Sequence, residues 1–488
     1  MPEEQPPDAR EDSFRRLLRA HLPAVLALLV AAFGLRLAFI FAAPHGASWG
    51  GDPRYYVTAS NLYAGHGYSF EQTPPYTPSL ASVPVYPFFM AAVYTLAGPH
   101  NDAVRVAQAV IDLLTCLLVS YVSFRLAPRG LKKGAAFAAL AVYGLVSWFT
   151  MIWTACLLTE TLALFFTTLT LALCARDPGG GRWRVWAAAG CACGLAVLTR
   201  PDSVLLAAAV LLFLAARLIR RRSRASIVTA AGFGVALALV LAPWSLRNFV
   251  TFGVFEPLAS EYGCAAECYF PVGYLRWVRT WLKDETNFDY AFEPAWPTGT
   301  HAFDAAGLPR DAYDSEEERL RVVGLIERYN RARRIGPDLD ADFRALAAER
   351  VRRAPVRFFV TLPLYRLASM WLTGFSTARP TPYVMLLRVF TVLPLHLCAA
   401  LGFALFSRGR PLAWLLLAVV VVRSAFFGFH YAPETRYIVE AYPPVIAAGG
   451  VTAAALWRYL VGRLRIPRGG APSPGDATRP PALGSQTS

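Results

Sequence analysis

The sequence predicts an all-α polytopic membrane protein with about ten transmembrane helices, several interfacial helices and a modest external soluble region. Two observations carry that reading. The 488 residues are 55% hydrophobic and only 17% charged, against about 25% charged in an average soluble chain, and mean hydropathy is +0.38. Apolar runs near the length needed to cross a bilayer also recur along the chain. The net charge of +15 is therefore not a nucleic-acid signal. Its arginines and lysines cluster in short segments between apolar runs, as orientation signals do.

The elements follow in order. Residues 1–21 form a basic, Pro-rich amino terminus, expected to be cytoplasmic. The apolar run 22–43, interrupted only by Arg36, is too long for an ordinary signal-peptide core and reads as an uncleaved signal anchor. Residues 44–101 form the first external loop. Within it, Asp52-Pro53 marks a helix start, because the carboxylate caps free N–H groups and Pro suits the first helical position. Tyr55, Ala59, Leu62 and Tyr63 recur at helical spacing and Gly65 closes the segment, giving a short helix lying on the membrane surface. A second short apolar helix is expected from Phe88 to Ala97.

Spans are expected at 102–126, 134–153, 155–175, 185–199, 203–219 and 226–244, completing transmembrane helices 1–7 within residues 22–244. Basic clusters (Arg125 to Lys133, Arg176 to Arg184, Arg217 to Arg224) then fall in every second loop. The positive-inside rule puts these loops and both termini in the cytoplasm and faces the loops at Asp52, Thr154, Arg200 and Arg247 outward.

Residues 245–383 form the external soluble region and an interfacial helix. Ser315 with Glu318 fits a capping box opening a helix through Arg333, and a second helix runs from Asp340 to Arg353. The stretch 356–374, interrupted by Pro363 and Arg366, reads as interfacial, because a span there would put the basic carboxyl terminus outside. Helices 8–10 occupy 384–462, and 463–488 reads as a disordered cytoplasmic tail. Six cysteines fall in apolar helices, where they act as small hydrophobes; Cys264 and Cys268 share a soluble loop, where a pairing stays open.

Charges in or beside a membrane are costly and therefore informative. On the expected outer side stand Asp52, Glu160, Arg200 with Asp202, Arg247, and the last-loop group His430, Glu434 and Arg436. Carboxylates beside arginines suit a reaction that holds an anion while a hydroxyl loses its proton, since the guanidinium fork matches phosphate oxygens. Plainer readings stand beside this one. Asp52 can be only a cap, Arg200 and Arg247 can snorkel toward headgroups, and Glu160 can pair with a neighbouring span. Arg36 and Asp112 read as a buried pair rather than a site, and Arg423 suits either role. Trp49, Tyr55, Tyr68 and Tyr269 are candidate stacking platforms or belt residues.

Several motifs occur in a fixed order: Asp52 with its Tyr-rich helix, Asn61-Leu62 to Gly67-Tyr68-Ser69, Pro84-Val85-Tyr86-Pro87, Leu158-Thr159-Glu160, Leu198-Thr199-Arg200-Pro201, Pro243-Trp244-Ser245-Leu246-Arg247-Asn248 and Glu434-Thr435-Arg436-Tyr437. From residue 22 to about 462 this pattern resembles the polytopic GT-C glycosyltransferases, in the branch of the protein O-mannosyltransferases and the lipid A aminoarabinose transferase. The resemblance implies transfer of a sugar from a polyprenyl-phosphate donor to an external protein, lipid or glycan acceptor at the outer face of the cytoplasmic membrane. It implies Asp52 as catalytic base with inversion, Glu160 as supporting acid, Arg247, Arg436 and Arg200 as donor-phosphate ligands, and Tyr55, Tyr56, Asp202, His430 and Glu434 around the substrate cleft. Many relatives carry a second acid directly after the first-loop Asp. Pro53 stands there instead, so no metal or other cofactor is expected. A transporter or flippase, or a polymerase or ligase, for lipid-linked glycans remains the alternative.

Overall fold

Every apolar run of the sequence appears as helix in the computed structural model, which describes residues 7–42, 51–259, 269–292, 302–373 and 382–464. The first helices are α1 (Pro7–Ala20), α2 (Leu22–Ala42), α3 (Pro53–Tyr63), α4 (Val85–Ala97) and α5 (Asn101–Leu126). They are followed by α6 (Lys132–Ala141), α7 (Trp148–Met151), α8 (Glu160–Arg176), α9 (Trp183–Thr199), α10 (Val204–Arg221) and α11 (Arg224–Phe252). Then come α12 (Val272–Arg279), α13 (Phe288–Phe292), α14 (Glu316–Ala332), α15 (Pro337–Arg353) and α16 (Leu362–Ala368), and finally α17 (Pro382–Phe406), α18 (Pro411–Phe429) and α19 (Tyr442–Leu464). Among the described residues the sole β pairing is one parallel bridge between Gly51 and Leu157. The fold is all-α, as expected.

Seven helices are long and apolar enough to cross a membrane, and a bent pair makes an eighth. The expected total of about ten is reached only by adding α8 and α9, which have 17 residues each. Two expected spans are corrected in shape. Residues 134–153 do not form one straight helix: α6 widens into a π turn at Val142–Val146, and the chain bends by 61° before α7. The cause is a buried ion pair. Arg36 on α2 binds Asp112 on α5 at 2.7 Å, both fully buried, and donates to the carbonyls of Ala32 and Gly144 at 2.9 Å. Tyr143 donates to the same aspartate at 2.7 Å. A guanidinium inserted into the helical ladder takes a carbonyl that the next turn would have used. The other correction is the start of α8, five residues later than expected, which positions a site residue described below.

The bundle closes through small residues. On α9, a Cβ at Gly190 would meet the Phe233 carbonyl oxygen of α11 at 2.3 Å, and one at Gly194 would meet Val240 at 2.7 Å. With no hydrophobic drive between helices in lipid, such close backbone approach supplies the packing. The principal core gathers side chains from α5, α6, α8, α9, α10, α18 and α19. A second core surrounds Trp277 with Tyr274, Phe343 and Tyr329 from α12, α14 and α15.

Ser315 Oγ accepts the Glu318 N–H at 3.1 Å, so the cap forms. The Glu318 carboxylate does not complete the box; it is held instead by Arg350 and by Arg353 at 2.7 Å. Residues 357–373, read as interfacial, are short helical turns in which buried Arg366 donates to the Leu282 and Arg279 carbonyls. Cys264, Cys268, Trp49 and the tail beyond 464 lie outside the described residues.

Removing one member of a buried pair leaves an uncompensated charge and costs about 3–5 kcal/mol, whereas apolar replacement of both costs far less. Asp112→Leu is therefore expected to lower the thermal unfolding temperature of the detergent-purified protein sharply. Adding Arg36→Leu should restore part of that loss. A double variant less stable than the single would refute the pairing argument.

Candidate active site

The site is assembled where α3, α8, α9 and the approach to α19 meet. The pairing of Gly51 with Leu157 brings the start of α3 beside the turn that precedes α8. That turn is unwound because α5 takes its carbonyls: Gln108 donates to Thr154 and Cys156 at 2.9 Å, and Arg105 to Ala155 at 2.9 Å. Glu160 thus becomes the first residue of α8 rather than a mid-helix one.

Asp52 caps α3, accepting the Arg54 N–H at 2.9 Å. The Arg54 side chain also grips both carboxylate oxygens, with Nε at 3.1 and 3.0 Å. Burial opposes the Arg54 charge, but the hydrogen bonds and charge of Asp52 outweigh it and hold the guanidinium above its ordinary value. Three residues of the predicted stripe face inward: Ala59 is fully buried, Tyr55 meets Tyr86 edge-on at 5.2 Å and Leu62 packs in the same cluster, as does Tyr56, whereas Tyr63 is exposed. Burial first, and then the Asp52 charge, pushes the Tyr55 hydroxyl up. Tyr55 also lies within electrostatic reach of Glu160 and Arg200, and so connects α3 to the deeper charges.

Those deeper charges form a continuous chain. Arg200, which caps the end of α9, binds Glu160, Asp202 at 2.9 Å and Glu440 at 3.4 Å. Arg423 on α18 reaches Asp202 at 2.8 Å and Glu440 at 2.5 Å. Glu160 and Glu440 are each 1% exposed, and neither Glu440 oxygen makes a hydrogen bond despite its two ion contacts. Three carboxylates therefore share two guanidiniums. Burial works against the Arg200 charge, and Asp202, Glu160 and Glu440 overcome it, so its pKa is raised well above the ordinary value.

Arg436 pairs with Glu434 at 2.8 Å. The Tyr437 ring lies under both Arg200 (5.3 Å) and Arg436 (5.2 Å) and stacks on Phe427 at 4.8 Å. Arg54 and Arg436 feel each other's charge, which brings the Asp52 pair and the Glu434 pair into one neighbourhood.

The fold thus groups Asp52, Tyr55, Glu160, Arg200, Asp202, Glu434 and Arg436. Arg247 stands apart. It is bordered by Tyr68 (5.4 Å), Trp244 (4.8 Å) and Phe252 (5.1 Å), donates to Ser79 O at 2.9 Å and Asn248 Oδ1 at 3.0 Å, and has no ion pair among the described residues. His430 stacks on Tyr431 at 4.1 Å beside a cavity of about 480 Å³ that includes Arg279. Burial pushes its imidazole down to about 4, so it is neutral near pH 7. Tyr269 donates to Asp340 at 2.9 Å, in the region of the second core. Among the described residues no three His, Cys, Asp or Glu side chains are arranged to hold a metal ion.

Arg54 and Glu440 went unremarked in the sequence. Glu440 had a signal, since a lone carboxylate in an apolar run is expected to have a functional or paired role. Arg54 had only its place two residues after the cap.

Residues 78–245, about a third of the chain, match the family described as dolichyl-phosphate-mannose-protein mannosyltransferase. No curated protein matches the chain. Among solved structures, the archaeal oligosaccharyltransferase AglB from Archaeoglobus fulgidus, in complex with an inhibitory peptide and a dolichol-phosphate, is 13% identical with a TM-score of 0.51. That match covers 92% of this chain and 52% of AglB. A second AglB structure, tethered to an acceptor peptide, is 12% identical with a TM-score of 0.52, covering 92% and 51%. The chain thus spans about half the length of that enzyme. ArnT from Cupriavidus metallidurans is 16% identical, covering 88% of this chain and 78% of ArnT, with a TM-score of 0.34, below the level that marks a shared fold. The chain is a polytopic membrane protein with the GT-C glycosyltransferase fold, carrying over residues 78–245 the sequence pattern of the dolichyl-phosphate-mannose-protein mannosyltransferases.

Proposed function

We propose that the protein transfers a sugar from a polyprenyl-phosphate donor to an acceptor hydroxyl at the outer face of the cytoplasmic membrane, with Asp52 as the base. The observation that carries the reading is the gathering of the Asp52–Arg54 pair, the Glu434–Arg436 pair and the buried chain from Glu160 to Glu440 in one neighbourhood. AglB has been solved with an inhibitory peptide and a dolichol-phosphate, and with a tethered acceptor peptide, which supports a lipid-linked donor for this chain. Basic loops at one end of the bundle and the carboxylates at the other support the outward orientation.

In the reaction the acceptor oxygen bonds to the sugar C1 as the bond from C1 to the phosphate oxygen breaks, inverting that centre. The acceptor proton passes to Asp52, and the electron pair leaves on the polyprenyl phosphate. The leaving group is already an anion, so the protein has to hold its charge rather than create it. Guanidiniums in a partly dry cleft do this more strongly than in water. The Arg54 side chain occupies both oxygens of Asp52. Transfer of the Arg54 fork to the incoming phosphate would free the carboxylate at the moment the donor is seated.

The candidate phosphate ligands differ in availability. Arg200 is committed to three carboxylates and serves better as the fixed centre of the charge chain. Arg436 has one carboxylate and Arg247 none, so these two are the better phosphate ligands.

Asp52→Asn keeps a capping oxygen and is expected to lower transfer from a lipid-linked sugar by about 10²–10⁴-fold with folding unchanged; near-normal turnover by a folded variant would reject the assignment. Arg436→Ala and Arg247→Ala should raise the apparent KM for the donor, and unchanged donor affinity in both would remove them from the phosphate site. Arg200→Ala should behave differently. It leaves buried carboxylates unpaired, so the expected result is loss of folded protein by size-exclusion chromatography, and a stable variant with altered KM alone would reassign Arg200 to the donor.

A further inference from the structure

At the end of the bundle opposite the charge chain, α10 and α18 enclose a cavity of about 660 Å³. Its position follows from helix length: α10 begins two residues after Asp202 and runs 18 residues to Arg221, about 27 Å at the α-helical rise, close to the thickness of a bilayer core. The wall has two chemistries. Leu212 and Trp414 are large, apolar and exposed toward the lipid. Arg217, Arg220, Arg221 and Arg410 form the rim.

None of these four arginines forms an ion pair among the described residues. Arg217 donates weakly to the Pro178 carbonyl at 3.4 Å, its Nε is buried without a hydrogen-bond partner, and Arg410 donates to the Leu126 carbonyl. Asp177 accepts the Arg182 N–H at 2.7 Å and acts on Arg217 through its charge without forming an ion pair with it. The placement of Arg217 is built in. At Gly180, where φ is +62° and glycine is favoured, an added Cβ would lie 2.0 Å from the Arg217 guanidinium, which packs directly over the glycine. Four arginines thus converge on one apolar groove, none of them in an ion pair among the described residues.

We infer that this cavity binds the phosphodiester headgroup of an anionic phospholipid from the leaflet at the basic end of the bundle, with the acyl chains lying along Leu212 and Trp414. Guanidinium forks suit phosphate oxygens, and basic pockets between transmembrane helices suit anionic headgroups. A diffuse basic rim would need no cavity. The combination of an apolar wall and unpaired guanidiniums fits a lipid, whose two ends match the two chemistries. This inference stands whether or not the proposed sugar transfer is correct.

The test uses the full chain in nanodiscs of phosphatidylcholine with and without phosphatidylglycerol, with retained lipid read by native mass spectrometry. Wild type is expected to retain phosphatidylglycerol in preference to phosphatidylcholine. Arg217→Ala with Arg410→Ala should lower that retention on the order of tenfold, and Ala216→Trp, which fills the groove without removing a charge, should lower it too. A control pair at the same end, Arg129→Ala with Lys133→Ala, should leave it unchanged. Thermal unfolding in phosphatidylcholine alone identifies folded variants; should the arginine pair fail to fold, Ala216→Trp, at an exposed position, carries the test. Equal loss in the control pair, unchanged retention in Ala216→Trp, or a preference for undecaprenyl phosphate over phosphatidylglycerol at these arginines would each overturn the inference.

Discussion

The need to neutralise buried charge shapes the half of this bundle that holds Glu160 and Glu440. Glu160 and Glu440 are almost wholly enclosed, and an isolated ionised carboxylate in such surroundings is prohibitively costly. Arg200 and Arg423 meet that need by binding three carboxylates from three chain segments. Helix ends are placed accordingly: α8 opens at Glu160, α9 closes at Arg200, and α10 begins just past Asp202. Backbone constraints fix the same ends: Gln108 and Arg105 hold the carbonyls of the turn before α8, and Pro201 directly follows Arg200 at the close of α9.

Much of this organisation was legible in the sequence. Low charge content and long apolar runs announce helices in lipid, and Asp52-Pro53 and Ser315 announce helix starts that are found where expected. The bend after α6 was not legible, because its cause is Arg36, 108 residues away from the carbonyl it occupies. The late start of α8 was hidden for the same reason, since Gln108 and Arg105 unwind a segment about fifty residues further on. Local periodicity carries no record of such distant competition for backbone groups.

The candidate site divides in the same way. Asp52, Glu160, Arg200 and Arg436 stand out as polar interruptions of apolar sequence, so their importance could be read. Their partners could not. Arg54 looks like any helix-surface arginine until it folds back on Asp52, and Glu440 hides at the head of an apolar run. Arg247 shows the limit of reading residue types. It shares a charge with Arg200 and Arg436, yet it sits among aromatic faces rather than carboxylates.

The stretch from His430 to Ala441 belongs to two bodies at once. Tyr431 and Ala432 pack into the core around Trp277, the Thr435 amide is held by Glu285, and Tyr437 contributes to both cores while supporting Arg200 and Arg436. It acts as a seam between the core around Trp277 and the charge chain. A macromolecule pressing on α12, α14 or α15 would push, through these few residues, on the same tyrosine that two arginines rest against. The packing of that core and the posture of the guanidiniums thus rest on one shared ring, with no hinge between them.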